Sequence, residues 1–298
     1  MQLPGVGVSV VIPTYRREGV LVETLTSLLS LDPGPSEVLV VDQTESHEGA
    51  TEAFLDAQVK AGRIRWLRLE TPSIPVAMNH GLLEASHDIV LFVDDDIVPD
   101  EDLIAAHHAA HAQNPHVLVA GRVLQPWDEG KDYTSDTHFH FASTRTAWIT
   151  EFMGGNFSVN REEGIALGGF DENFVKVAYR FEAEFAHRWV ASGRRIFFEP
   201  QACLHHLKAG IGGTRTYGEH LTTWRPDHAV GAYYFGLRTR HLRDFIVRPF
   251  RAVTTRYHLQ HPWRVPGTLL AELRGMAWAF ALVIKGHKRM DARRRRQS

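Results

Sequence analysis

Three consecutive aspartates, Asp94, Asp95 and Asp96, directly follow five apolar residues, 89–93. Carboxylates this close repel one another unless a cation or a ring of donors neutralises them. Two readings follow: oxygen ligands for a hard divalent cation, or a solvated turn leading into a helix N-cap near Asp100 and Asp102. Another carboxylate, Asp42, ends the apolar run 38–41. No GxGxxG follows the first apolar run and no GxxxxGK[ST] occurs anywhere, so the usual glycine-rich phosphate cradles are missing. A bound nucleotide would need its phosphates neutralised another way, and a carboxylate-held metal does that.

Glu182 is the candidate acid–base group. Residues 179–192 have helical spacing, with Phe181, Phe185 and Trp189 on one stripe. Glu182 falls inside that stripe. Glu184 falls away from it, one turn before Arg188, as for an exposed i,i+4 ion pair. A carboxylate on an apolar stripe needs a function or a hydrogen-bond partner, and both readings stand. His107, His108 and His111 also have helical spacing and read as a solvated face.

The elements that must position these groups alternate between two periods. Residues 6–12, 37–41, 64–69 and 89–93 read as strands rich in β-branched residues, with Pro13 stopping the first. Residues 19–30, 48–61 and 76–85 read as helices between them. This order predicts an α/β fold with a mainly parallel sheet and right-handed crossovers. Ligands then bind beyond the carboxyl ends of the strands, at Pro13-Thr14-Tyr15, Asp42 and Asp94–Asp96. Further on, 101–113 reads as a helix, 117–124 as a strand, and 126–146 as a long surface loop.

The length, 298 residues, suits one large domain with an appendage, and the composition is that of a folded soluble protein. Residues 1–7 lack the basic start and long apolar core of a secretory signal, and Cys203 stands alone. The expected setting is reducing and cytoplasmic. Residues 221–298 carry sixteen Lys or Arg against four Asp or Glu, a formal +12, while residues 1–220 carry −14. The expected division is a catalytic domain over 1–220 and a basic, aromatic-rich helical extension over 221–298. The acidic part is a poor partner for nucleic acid.

Val8-Ser-Val-Val-Ile-Pro-Thr-Tyr-Arg16, Val40-Val-Asp-Gln-Thr44, Asn79-His-Gly81 and Phe92-Val-Asp-Asp-Asp96 resemble successive motifs of the family 2 glycosyltransferases with the GT-A fold. Gly154-Gly-Asn-Phe-Ser-Val-Asn-Arg161 and Gly168-Gly-Phe-Asp-Glu172 continue the series, so the resemblance spans about residues 6–206. It implies an inverting transfer of a sugar from a nucleotide-diphosphate donor to a hydroxyl of a glycan or lipid-linked acceptor, as in cell-surface polysaccharide or glycolipid synthesis. It also implies a nucleotide-sugar pocket at Pro13, Thr14, Tyr15, Asp42, Asn79, Asp94 and Asp95, with Asp42 on the base, Asp95 and Asp96 on the ribose and the metal, and Asp94 in support of either role. Gly154, Gly155 and Asn156 would lie near the sugar or acceptor. Mn2+ or Mg2+ would sit on Asp96, with His206 as a second ligand or as an ordinary satisfied histidine. Glu182 aligns with the catalytic base, usually an aspartate, while Phe181 replaces a glutamate and Met78 stands where an arginine is common. Asp171 reads either as an acceptor contact or as a turn residue.

The basic extension interleaves arginines with Trp224, Phe245, Phe250, Tyr257, Trp263 and Phe280. It reads either as a peripheral attachment to an anionic membrane face or as a helical subdomain packed on the catalytic domain. Its longest uncharged run, 275–284, is about half of the ~20 residues a span needs. Two competing functions remain: a sugar nucleotidyltransferase releasing pyrophosphate, and a non-catalytic nucleotide-sugar-binding or membrane-tethering subunit.

Overall fold

The structure is a computed structural model that describes residues 7–131, 133, 138–213, 217 and 222–290. Four strands form its amino-terminal half: β1 (Val8–Thr14), β2 (Glu37–Asp42), β3 (Arg65–Arg68) and β4 (Ile89–Val93). They pair in the order β3-β2-β1-β4, all parallel. The connecting helices are α1 (Gly19–Leu29), α2 (Gly49–Lys60) and α3 (Ile74–Glu84). Alternate residues of the strands feed two cores. Val11, Leu39, Val41, Val90 and Phe92 face one, and Val10, Ile12, Val38, Val40 and Leu91 face the other. That alternation is why the strands read as continuous apolar runs rather than half-polar ones. β1 runs through Pro13 rather than stopping before it, with Thr14 paired to Asp42.

Beyond β4 the sheet becomes mixed. The remaining strands are β5 (Ile97–Pro99), β6 (Val117–Leu124), β7 (Ala147–Ile149), β8 (Asn156–Asn160) and β9 (Arg195–His206). β8 runs antiparallel between β4 and β6, β6 pairs parallel with β9, and β5 and β7 pair antiparallel with β9. The helices of this part are α4 (Leu103–Gln113), α5 (Arg161–Ala166) and α6 (Phe181–Ala191). The loop expected over 126–146 lies partly outside the described residues.

Two pairings position the site. Val93 of β4 faces Asn156 of β8, so the chain entering β8 lies beside the exit of β4. Ile97 of β5 faces His206 of β9, and the Leu207 amide donates to the Asp96 carbonyl at 2.8 Å. The ladder thus carries a histidine to an aspartate 110 residues earlier in the chain.

The carboxyl-terminal segment is helical: α7 (Ala229–Thr239), α8 (Leu242–Val253), α9 (Arg256–Gln260) and α10 (Val265–Lys285). It packs on the sheet domain. Val230, Tyr233, Tyr234, Ala279 and Leu282 share one core with Phe92, Phe157 and Phe185. The helix α7 approaches so closely that a Cβ at Gly231 would stand 2.4 Å from the Tyr179 carbonyl. His287 adds a polar tie, with Nε2 3.3 Å from Asp171 and 3.6 Å from Glu184. Residues 262–285 form a helical stretch long and apolar enough to cross a membrane by length and composition, although a third of its most apolar window is buried against the protein. The terminal arginines 293–296 lie outside the described residues.

Two expectations about side-chain exposure are corrected. Glu184 is buried at 2 %, although its predicted partner is right: Arg188 clasps it with bonds of 2.8 and 2.9 Å. The ion pair is internal because Arg188 also donates to the Leu167 and Gly169 carbonyls, which roof it over. His107 and His111 do not form a solvated face. His107 is fully buried between Ser158 and Asn156, and His111 bonds to the same Ser158 hydroxyl. Burial first of all lowers both pKa values, His107 to about 4 and His111 to about 3, so both rings are neutral.

Candidate active site

A cleft of about 390 Å3 opens beyond the carboxyl ends of β1 and β4, where an open parallel sheet binds ligands. Pro13, Thr14, Tyr15, Asp94, Asp95, Asp96 and His206 all line it. Six other expected residues do not. Asp42 is fully buried behind Gln43, with its carboxylate held by the Thr44 amide, His47 and Trp66. Asn79 is also buried, bonded to the Phe170 backbone through both ends of its amide. Asn156 bonds to His107 and to the Arg122 and Ala202 carbonyls. These three side chains hold the fold together behind the cleft. Glu182, Gly154 and Gly155 lie outside the cleft lining, but Gly155 abuts it: a Cβ there would fall 2.2 Å from Asp94 Oδ2. A side chain there would displace that carboxylate. Met78, the departure from the family pattern, does line the cleft.

The three aspartates have distinct environments. Asp95 is organised internally: Thr14 Oγ1 donates to it at 2.7 Å and Arg17 Nε at 3.1 Å. Burial raises its pKa to about 7, against the opposing pull of Arg17 and the Thr14 bond. Asp96 receives the Ala209 amide at 2.8 Å and Arg17 at 3.3 Å on Oδ2, while Oδ1 faces His206 Nε2 at 3.1 Å. Burial opposes ionisation of Asp96, but the His206 bond and charge, then Arg17 and the Ala209 amide, hold it below the usual carboxylate range. Asp94 is half-exposed, with Oδ2 3.7 Å from His206 Nε2.

One ligand atom each from Asp94, Asp96 and His206 lies within 4.8 Å of the others. This set fits a divalent cation. His206 Nδ1 stands 3.1 Å from Gln125 Oε1, which can only accept. The Nδ1–H therefore points at Gln125, and Nε2 is presented toward the two carboxylates, as the outer partner of a ligating histidine requires. Burial opposes protonation of His206, but Asp96 and Asp94 outweigh it and raise its pKa above the ordinary histidine value. Asp171 is a turn residue, fully buried and bonded to the Asn173 amide and the Tyr234 hydroxyl.

Sequence reasoning overlooked Arg17, Lys176 and Lys208, which bring positive charge to the cleft. Arg17 sits just past the first motif, which ends at Arg16. Lys176 and Lys208 occupy irregular segments without periodicity, so nothing local marked them. Both have positive φ, 62° and 56°, an uncommon conformation outside glycine.

Glu182 opens α6 and is half-buried. Burial first, then the charges of Asp94 and Glu151, raise its pKa to about 7, with Arg180 pulling the other way. A carboxylate poised there is suited to take a proton near neutral pH.

Known proteins share this arrangement of strands. The UDP-GlcNAc complex of TarS from S. aureus superposes with a TM-score of 0.63 at 17% identity, covering 94% of this chain and 88% of that one. A Pyrobaculum calidifontis mannosyltransferase, PcManGT, with GDP-Man and Mn2+, gives 0.57 at 23% identity over 94% and 79%. GalNAc-T7 with UDP, GalNAc and Mn2+ gives 0.58 at 14% identity over 80% and 52%. In sequence, the uncharacterized glycosyltransferase YfnE of Bacillus subtilis is 28% identical over 113 residues, 38% of this chain. That match takes in only 29% of YfnE's own length. The profile described as Glycosyl transferase family 2 matches residues 9–177, more than half of the sequence and every strand of the parallel half. The chain belongs to glycosyl transferase family 2.

Proposed function

We propose that this glycosyltransferase is metal-dependent and inverting, and that it moves a sugar from a nucleoside-diphosphate donor to an acceptor hydroxyl in glycolipid or cell-surface polysaccharide synthesis. The observation that carries the reading is the convergence of Asp94, Asp96 and His206 on the rim of a cleft that also holds Lys176 and Lys208. Mn2+ or Mg2+ bound by those three residues would supply positive charge for the diphosphate as it leaves. Arg17 and Thr14 fix Asp95 so that its neighbours keep their aim. Glu182 takes the proton of the acceptor hydroxyl, whose oxygen then attacks the anomeric carbon from the face opposite the leaving nucleotide. Neighbours that bind UDP-GlcNAc or GDP-Man support a nucleotide-sugar donor for this chain.

Glu182→Gln tests the assignment. Turnover falls by on the order of 10²–10⁴, while the affinity for nucleoside diphosphate with Mn2+, read by calorimetry, stays within about twofold. Loss of nucleotide affinity would move Glu182 to a structural role.

The same reading places the protein on the cytoplasmic face of a membrane. Ile246 and Phe250 of α8, with Leu259 and Trp263 beyond it, are exposed large apolar side chains. Arg243, Arg251 and Arg256 are exposed among them. Apolar side chains beside cations suit an anionic lipid surface.

A further inference from the structure

A second cavity, of about 410 Å3, lies between the catalytic domain and the carboxyl-terminal helices. Four arginines line it, Arg180, Arg225, Arg248 and Arg251, against a single carboxylate, Glu272. Glu272 is already engaged: Tyr233 donates to it at 2.6 Å and Arg248 Nε stands 3.0 Å away. Two further ion pairs of this wall are found among the described residues, one with an exposed carboxylate and one with the buried Asp227. Arg180 meets Glu151, an exposed residue, at 3.2 Å, and Arg225 Nε lies 3.6 Å from Asp227. A guanidinium has five N–H donors and one carboxylate takes at most two, so donors remain for an incoming anion. The walls also carry Thr223, Thr255 and His228.

This cavity adjoins the donor cleft. His228 lines both. The segment between them holds three non-glycine residues at positive φ, Lys176 (62°), Ala178 (53°) and Arg180 (73°). Strain of that kind persists where the surroundings enforce it, and here it sends Lys176 into the donor cleft and Arg180 into the second cavity. Glu182 follows two residues later.

We propose that the arginine-walled cavity binds a phosphate group of the acceptor and holds a neighbouring acceptor hydroxyl toward Glu182. The inference rests on the glycosyltransferase reading and adds the acceptor's chemical class: a phosphate ester. Arginine forks match phosphate oxygens in pairs, which selects this anion over a neutral glycan. Two sources share that chemistry, a soluble polyol phosphate and a phospholipid-type headgroup.

Calorimetric titration of the full-length protein with glycerol 3-phosphate and, separately, with short-chain phosphatidylglycerol below its micellar concentration separates the two. At least one is expected to bind, and the double substitution Arg225→Ala and Arg251→Ala should weaken that binding at least tenfold. Both side chains are exposed and neither lines the donor cleft, so the affinity for nucleoside diphosphate with Mn2+ is expected to stay unchanged. Binding of glycerol 3-phosphate assigns a soluble acceptor, and binding confined to phosphatidylglycerol assigns a lipid one. Absence of binding by both probes, a loss smaller than tenfold, or equal binding of neutral glycerol overturns the proposal. If the wild-type chain instead fails to bind nucleoside diphosphate, the glycosyltransferase reading falls, and the phosphate titration still decides whether the cavity is an anion site.

Discussion

The donor cleft and the arginine-walled cavity handle charge in opposite ways. In the cleft, acidic groups come first: Asp94, Asp95 and Asp96 leave β4 together, and Arg17, His206 and the Ala209 amide gather around them. In the cavity, basic groups come first, and one buried carboxylate, Glu272, organises Arg248 beneath them. The cleft is held by a sheet, whose registers fix Asp96 opposite the end of β9. The cavity is held by helix packing on a common apolar core. A rigid acidic rim suits a metal and a diphosphate; a basic pocket bordered by exposed apolar helices suits an anionic acceptor. The difference is the one our proposals require of two sites for two substrates, and the segment before α6 with its positive φ angles lies between them.

The sharpest way to break the comparison is at Asp96. Asp96→Asn keeps the shape but removes the negative charge that holds a cation, and transfer should fall by on the order of 10²–10³. Full activity in a steady-state assay would erase the distinction between the two regions. Next in size is the pH profile of kcat/KM. Glu182 must be ionised to act as a base, and its pKa is raised to about 7. Activity is therefore expected to fall about tenfold per unit as pH drops below 7, and to level off above it. A profile flat from pH 5 to 8 would exclude Glu182 as the base.

Stability separates the regions in another way. Asn156→Ala strips three buried hydrogen bonds from the sheet beside the cleft and should cost about 2–4 kcal/mol in denaturant unfolding. Ile246→Ser with Phe250→Ser on exposed α8 should change stability by only about 0.5 kcal/mol. That pair is instead expected to lower sedimentation with anionic vesicles severalfold. Unaltered sedimentation would remove the membrane reading and leave the helices as a packed subdomain. A pH-dependent effect concerns His107, buried and neutral with its pKa lowered to about 4. The stability it contributes is present above its unfolded pKa of about 6.5 and is lost as pH falls toward 4. The thermal midpoint should drop over that window less steeply in His107→Gln.

The parallel half of the fold was legible because each strand is buried on both faces, so its sequence is a nearly unbroken apolar run. The metal candidates Asp96 and His206 were legible by motif, and topology explains their meeting. Asp94 was expected to serve either the nucleotide or the metal, and it stands beside Gly155 with one ligand atom in the metal set. Arg17, Lys176 and Lys208 were not legible, since a lone basic residue in a loop shows no period and its target is distant in the chain. Glu184 misled for a related reason. Its i,i+4 partner was readable from spacing, but the carbonyls of Leu167 and Gly169 that bury the pair come from another element. Periodicity reports which side of a helix is apolar; it does not report what another segment lays across the polar side.

The central claim is a divalent cation on Asp94, Asp96 and His206, and titration of Mn2+ followed by its paramagnetic resonance signal addresses it most directly. With a nucleoside diphosphate present, one Mn2+ per chain is expected to bind, weakened at least tenfold by Asp96→Asn or His206→Ala and unchanged by the Arg225→Ala and Arg251→Ala pair. Undiminished Mn2+ binding in Asp96→Asn, or none in the wild-type chain, would contradict it.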